Sequence, residues 1–207
     1  MITVPHSSDN PEKIKLIIES AQKRFGVFGL MKTTMREIAS DLNMSKGLLY
    51  YYFPDKEHLY IAVIEKEQNE FLKILEDNID NNPDPEENLK DYVNLRMSYF
   101  KSLLNLNRLS FDASTEIKSI MGDVWIKFRN KEIEIIKKVI KKGANKGIFN
   151  VSAVDKSAEL FVDLLKGLRN MEINKKRIFF IDDIEYDTLS TKSNDFVEIF
   201  IKGLKYN

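Results

Sequence analysis

Apolar residues recur every three or four positions along most of the chain, which is the period of an α-helix. Ile14, Ile17, Ala21 and Phe25 form the first stripe. Asn10 and Pro11 supply its N-cap and first helical residue, and Gly26 and Gly29 mark where it ends. Thr34 and Glu37 read T-x-x-E, a capping box that opens a short helix carrying Ile38, Ala39 and Leu42. Ser45 caps a second short helix running to Tyr51 or Tyr52, and Pro54 breaks it. Asp55 opens a long helix with Leu59, Val63, Phe71 and Leu75 among its apolar positions. Residues 78–88, "NIDNNPDPEEN", read as a linker, within which Asp84 and Glu87 form a second capping box. Further helices are predicted over 89–104, 108–121, 124–142, 154–171 and 193–205, with a turn at 141–149. Residues 176–190, "KRIFFIDDIEYDTLS", alone have strand-like composition, and we expect an ordered loop there because an isolated strand is unstable.

The fold class expected is therefore all-α. A three-helix N-terminal domain spans 1–55, a connecting helix 56–78, and a larger helical domain 84–207. Two short helices joined by a tight turn and followed by a longer one fit a DNA-binding helix-turn-helix. Counted from Met35, its inward positions are Ile38, Leu42, Met44, Leu49 and Tyr52. Ala39 falls where the helices approach most closely, and Asn43 at the turn, where a left-handed backbone is wanted. Successive helical residues point about 100° apart. With Leu49 and Tyr52 inside, Tyr50 and Tyr51 face outward, and Phe53 packs where the chain leaves the helix. An outward phenol can bond a phosphate, Lys46 can reach phosphate or base edges, and Gly47 lets the backbone approach a groove. Thr34 and Arg36 open the preceding helix, whose free N–H groups suit a phosphate. Lys56 opens the helix that follows.

Residues 17–65 resemble the N-terminal domain of TetR-family transcriptional regulators. The matching pieces are F-x-x-x-G in the first helix, T-T-M-R-E-I-A in the second, S-K-G-x-L-Y-Y-Y-F in the third and K-E-x-L opening the fourth. The resemblance implies DNA contacts from Thr34, Arg36, Lys46, Tyr50, Tyr51 and Lys56, with Ser45, Gly47 and Leu48 on the same surface. Leu48 stands where the family most often has Thr or Ser, and is limited to apolar contacts such as a thymine methyl. Asn43 replaces the more usual Gly. The resemblance further implies that the C-terminal domain binds an effector and forms a homodimer, its recognition helices about 34–36 Å apart on double-stranded DNA.

Charge tempers this picture without changing it. The chain has 32 basic and 32 acidic residues, and residues 1–60 carry a net charge of only +1. Such a weak footprint favours few, well-placed phosphate contacts per subunit. Residues 127–146 hold eight Lys or Arg, read as the solvated face of one long helix rather than a second nucleic-acid surface. There is no Cys, and His6 and His58 are far apart and read as surface residues. No cofactor or metal is expected. No catalytic constellation appears, so an enzyme is not expected. No apolar run is long enough to cross a bilayer, and the first residues lack a secretory core, so a cytoplasmic protein is expected.

In the C-terminal part, Met97, Phe100, Leu104, Phe111, Trp125, Phe128 and Phe161 are candidate linings of an effector pocket, each with core packing as its alternative. Arg96 is either a holder for an acidic ligand or half of a salt bridge to a neighbouring helix. Adjacent apolar pairs on the last two helices are wider than one small bundle needs. They point to a dimer interface of Phe161, Leu165, Leu168, Phe196, Phe200 and Leu204. The function expected is a ligand-responsive repressor, released from a palindromic operator by a small, mainly apolar molecule. The alternative is a helical protein-interaction module without sequence-specific DNA binding.

Overall fold

The computed structural model describes residues 10–102, 115–175 and 183–205, with side chains at 10–101, 121–172 and 186–205. Among them are eight helices: α1 Pro11–Lys32, α2 Met35–Asp41, α3 Lys46–Tyr52, α4 Lys56–Asn81, α5 Pro85–Ser102, α6 Thr115–Asn145, α7 Val154–Lys175 and α8 Asp183–Lys205. The all-α expectation holds. Leu104 and Phe111 lie outside the described residues, as does His6.

The contacts of the described residues group into two compact units, one reaching to Gln68 and taking in α6 up to Val124, the other beginning at Asn69 and taking in the rest. The first unit is built on Ile17, Ala21, Phe25, Ile38, Leu49, Leu59, Val63 and Ile64, all wholly buried. The Phe25 ring meets Tyr60 edge-on, with centroids 5.2 Å apart. Gly29 breaks the regular course of α1 (φ 78°, ψ 166°), and the Thr33 hydroxyl donates to the Gly29 carbonyl at 2.8 Å. The expected end is corrected: Gly26 lies inside the helix, the break falls at Gly29, and helical turns resume to Lys32.

Local chemistry at each start matches the sequence. The Asn10 side chain accepts from the Glu12 N–H at 3.1 Å. At α2 the capping box is complete: the Thr34 hydroxyl accepts from the Glu37 N–H, and a Glu37 carboxylate oxygen accepts from the Thr34 N–H at 2.8 Å. Ser45 Oγ accepts from the Leu48 N–H, and Asp55 from the His58 N–H at 2.7 Å. His58 is half-buried against that same carboxylate. At α5 only half the predicted box forms, because the Asp84 N–H donates to Asn82 Oδ1 instead of to Glu87.

The second unit has a continuous apolar core that includes Phe71, Tyr92, Met97, Phe128, Ile136, Phe161 and Val197. At its centre Arg96 makes a two-pronged pair with Glu132, Nε to Oε1 at 2.7 Å and Nη2 to Oε2 at 3.0 Å. The Tyr92 hydroxyl donates to the same Oε1 at 2.7 Å. Arg96 is 6 % exposed and Glu132 1 %. Burial opposes the Arg96 charge, but Glu132 and Tyr92 outweigh it and raise its pKa above the ordinary value. Burial, then the Glu132 charge, pushes the Tyr92 phenol well up, so it stays a donor.

At the C-terminus of α6, Gly147 takes the left-handed conformation (φ 70°). The chain folds back so that the Phe149 ring lies over Gly143, where an added Cβ would sit 2.1 Å from the ring.

Two predicted boundaries and the reading of one basic stretch need correction. The helices expected over 108–121 and 124–142 are not separated at Met121, because α6 runs unbroken through Gly122 and Asp123. Residues 183–190 are helical and belong to α8, not to an ordered loop. Leu189, Ser193, Val197, Ile201 and Leu204 are buried at helical spacing, so tertiary packing overrides the β-branched and aromatic composition. The basic stretch 127–146 is largely held by its own unit. Arg129 pairs with Asp163, Lys131 bonds Asn69, Lys137 pairs with Glu134 and Asp155, Lys142 donates to the Ile79 and Asn82 carbonyls, and Lys146 to that of Pro83.

Two predictions follow from these charges. Arg96→Met, which strands the Glu132 carboxylate, should cost the second unit about 3–5 kcal/mol. Combining it with Glu132→Leu should recover part of that, in urea unfolding followed through Trp125. In the first unit, hydrogen bonds from the Thr34 side chain and backbone hold the Glu37 carboxyl below its ordinary value of 4.5. The hydrogen bond from Arg24 to Asp41 (2.6 Å) does the same for Asp41, ordinarily 3.8. Both groups therefore add stability that is complete above those ordinary values and is lost as pH falls through the lower folded ones. The fall in Tm between pH 7 and pH 3 should be smaller in the Glu37→Gln, Asp41→Asn double variant than in the unaltered chain.

Candidate nucleic-acid interface

The outward face of the first unit is set by what lies behind it. Leu49 is 0 % exposed and Phe53 4 %, so α3 has one fixed inner side. Asn43 stands at φ 51°, the left-handed turn anticipated for it, and the Met44 N–H returns to the Ala39 carbonyl at 3.0 Å. Behind α2, Arg24 pairs with Asp41 and with Glu37, tying α1 to the helix in front of it.

With that frame fixed, Tyr50 and Tyr51 point outward, 40 % and 62 % exposed, while Tyr52 is half-buried. The Tyr51 and Tyr52 rings meet edge-on at 5.3 Å. Lys46 lies 5.3 Å over the Tyr50 ring, so one cation and one phenol are presented together. Thr34, Arg36, Ser45 and Gly47 are also exposed, and Leu48 and Lys56 partly so. All nine candidates thus belong to one unit. Thr34 and Ser45 already use their hydroxyls as caps, which limits what each can offer a partner. Arg36, Lys46 and Lys56 make no ion pair among the described residues, whereas Arg24 on the rear side makes two. An added Cβ at Gly47 would meet nothing within 4 Å, so the protein's own packing does not require glycine there.

The effector and dimer candidates are placed differently. Met97 and Phe161 are buried core residues, and the Ser193 hydroxyl rests 3.9 Å from Met97 Sδ. Phe128 is buried, with Trp125 edge-on to it at 6.1 Å, and Phe100 is partly buried. Arg96 forms the salt bridge that was one of its two readings. Of the dimer candidates, Phe161, Leu165 and Leu204 are buried inside the protomer, and Phe196 and Phe200 pack against Phe161. A surface already buried within the protomer cannot also face a partner. The exposed apolar residues of these helices are Leu160, Leu164 and Met171 on α7, with partly buried Leu168 in the same row, and Ile199 on α8. Their i, i+4, i+8, i+11 spacing was the available signal, masked by the inner stripe one residue away. Arg169, part-buried with its Nε fully enclosed, was also missed; an isolated arginine in an amphipathic helix reads as surface.

Comparison with known proteins agrees with this geometry. Residues 17–63 match the family described as bacterial regulatory proteins, tetR family. The chain is 47 % identical over 53 residues to the uncharacterized HTH-type transcriptional regulator YuxN of Bacillus subtilis, covering 26 % of this chain and 18 % of that protein. It is 44 % identical over 54 residues to the HTH-type transcriptional regulator RutR of Escherichia coli, covering 26 % of each. The matches therefore span about a fifth to a quarter of these two relatives' lengths. The crystal structure of a transcriptional regulator from Cytophaga hutchinsonii is similar throughout, with a TM-score of 0.83, 38 % identity, and coverage of 93 % of this chain and 98 % of that one. A TetR-family regulator from Pectobacterium atrosepticum shares the fold at 17 % identity, with a TM-score of 0.70 and 95 % of each chain covered. With its helix-turn-helix, its outward tyrosines and a relative matched along nearly its whole length, the chain belongs to the TetR family of bacterial transcriptional regulators.

Proposed function

We propose that the protein is a dimeric repressor that grips a palindromic operator through α3 and releases it when a small, mainly apolar effector binds the second unit. The observation that carries the reading is the outward face of α3: Tyr50, Tyr51 and Lys46 stand exposed with no role in the core, in the same unit as Arg36 and Lys56, which make no ion pair among the described residues. Phenol and ammonium groups at a helix surface suit phosphate oxygens and base edges. The near-neutral first unit supplies few such contacts, so two copies on one DNA are needed for affinity. The row Leu160, Leu164, Leu168 and Met171, with Ile199, is the apolar surface we assign to the partner copy. The effector acts only through its preference for one of two conformers, the other being the one whose recognition helices match successive major grooves. The single helix α4 is the proposed carrier of that coupling.

Selection from random duplex DNA with the purified protein should enrich an inverted repeat. Absence of enrichment from folded dimer would favour a protein-interaction module instead. Against the selected site, Tyr51→Ala should bind at least about tenfold more weakly, the equivalent of one lost charge-assisted phosphate bond. Gly47→Ala sharpens the test. The free protein should be as stable as before or slightly more so, by up to about 1 kcal/mol from helix propensity. Its operator affinity should fall, because the new methyl group occupies the space of the groove wall. Unchanged affinity in both folded variants would show that another face meets the DNA.

A further inference from the structure

The second unit holds an arginine whose inner nitrogen no described residue satisfies. Arg169 on α7 has its Nε fully buried and without a hydrogen-bond partner. Among the described residues its one hydrogen bond is a long one, 3.4 Å from Nη2 to the exposed Asn170 side chain. Its guanidinium lies 5.2 Å over the Phe100 ring. Among the described residues two charges act on it, Arg96 and Glu132. Glu132 is already spoken for: one oxygen accepts from Tyr92 and Arg96, the other from Arg96. Burial, then the like charge of Arg96, pulls the Arg169 pKa down to about 10 against the pull of Glu132, which still leaves it charged at neutral pH.

Buried guanidinium groups are normally paired, because the alternative costs the full desolvation of the charge. Among the described residues that act on Arg169, only Glu132 has the opposite sign, and it is already paired with Arg96, so positive charge is left over. What neutralises it is a monoanion. The planar fork of arginine fits the two oxygens of a carboxylate, whereas a phosphate monoester would bring close to two negative charges to a site with one to offer. The Phe100 ring beneath the guanidinium suits an apolar body behind that head.

We propose that Arg169, backed by the Arg96–Glu132 pair and seated on Phe100, binds the carboxylate of an apolar carboxylic acid, which is the effector of the second unit. This rests on the effector-binding reading above and narrows it from an apolar molecule to an apolar acid. It also moves the anion-holding role from Arg96, whose donors are engaged, to Arg169.

Isothermal titration calorimetry on the full chain, using octanoate, dodecanoate and 4-phenylbutanoate, each beside its primary alcohol, tests it without any variant. At least one acid should bind about tenfold or more tightly than its alcohol, the return on a charge-assisted bond. Arg169→Met should abolish that preference. Its ligand-free Tm should stay level or rise, since an unsatisfied buried charge has been removed; a Tm lower by more than about 5 °C would show that Arg169 holds the fold together and would overturn the assignment. Binding of no acid, equal binding of acid and alcohol, tighter binding of dodecyl phosphate, or a preference that survives in Arg169→Met would each overturn it too. The two readings fail separately. A chain that prefers the acids but selects no DNA sinks the repressor and keeps the acid site, and one that selects an inverted repeat but ignores the acids does the reverse.

Discussion

Two helices of seven residues each must be held still, and much of the first unit serves that need. Helices this short do not persist alone in water, because nucleation costs more than two turns return. Capping by Thr34 and Ser45 satisfies the first free N–H groups, and Glu37 closes the box at α2. Leu49 and Ile38, both 0 % exposed, fix the rotation of each helix about its axis. Asn43 sets the turn between them. Once rotation and turn are fixed, the identity of the outward residues is fixed as well. Tyr50 and Tyr51 are exposed because Leu49 is not.

The same dependence explains where charge is left unspent. Arg24 is engaged by two carboxylates and does structural duty behind the helix-turn-helix. The cations of 127–146 mostly answer to neighbours in their own unit, through Asp163, Asp155 and the carbonyls that end α4. Arg36, Lys46 and Lys56 are left over on the outward side. A formal charge near zero therefore conceals a local surplus. The count in the sequence describes the footprint poorly, because it cannot separate paired cations from unpaired ones.

Much of this was legible before any coordinates. Caps are local, so T-x-x-E at 34–37 and Ser45 could be read directly, as could Asn43 at the turn. The inward and outward sides of α3 followed from the rotation per residue alone. What could not be read was anything decided by a distant partner. Residues 183–190 look like strand, yet Leu189 joins a buried row that continues through Val197 and Ile201, and the helix follows the row. At Asp84 a capping box is spelled out, but Asn82 takes the N–H first. On α7, two apolar stripes lie side by side, and only packing decides that Leu165 faces inward and Leu164 outward. Arg96 and Arg169 are alike in sequence; Glu132, 36 residues from the first, satisfies one and leaves the other.

That difference between two arginines sets the two units apart. In the first unit the unpaired cations are in water, where leaving them unpaired costs little and pairing them returns little unless many act together. The DNA contact proposed for them would accordingly be a matter of released counterions, weakened by salt. In the second unit the unsatisfied guanidinium nitrogen is buried, where screening is weaker and each charge weighs more heavily. A single anion bound there, as proposed, would change the local energy by more than one surface contact does. Salt should therefore act strongly on the proposed DNA face and weakly on the proposed acid site. A repressor needs that combination: an operator grip that is the sum of many weak contacts, and an effector signal in which one strong contact decides which conformer prevails.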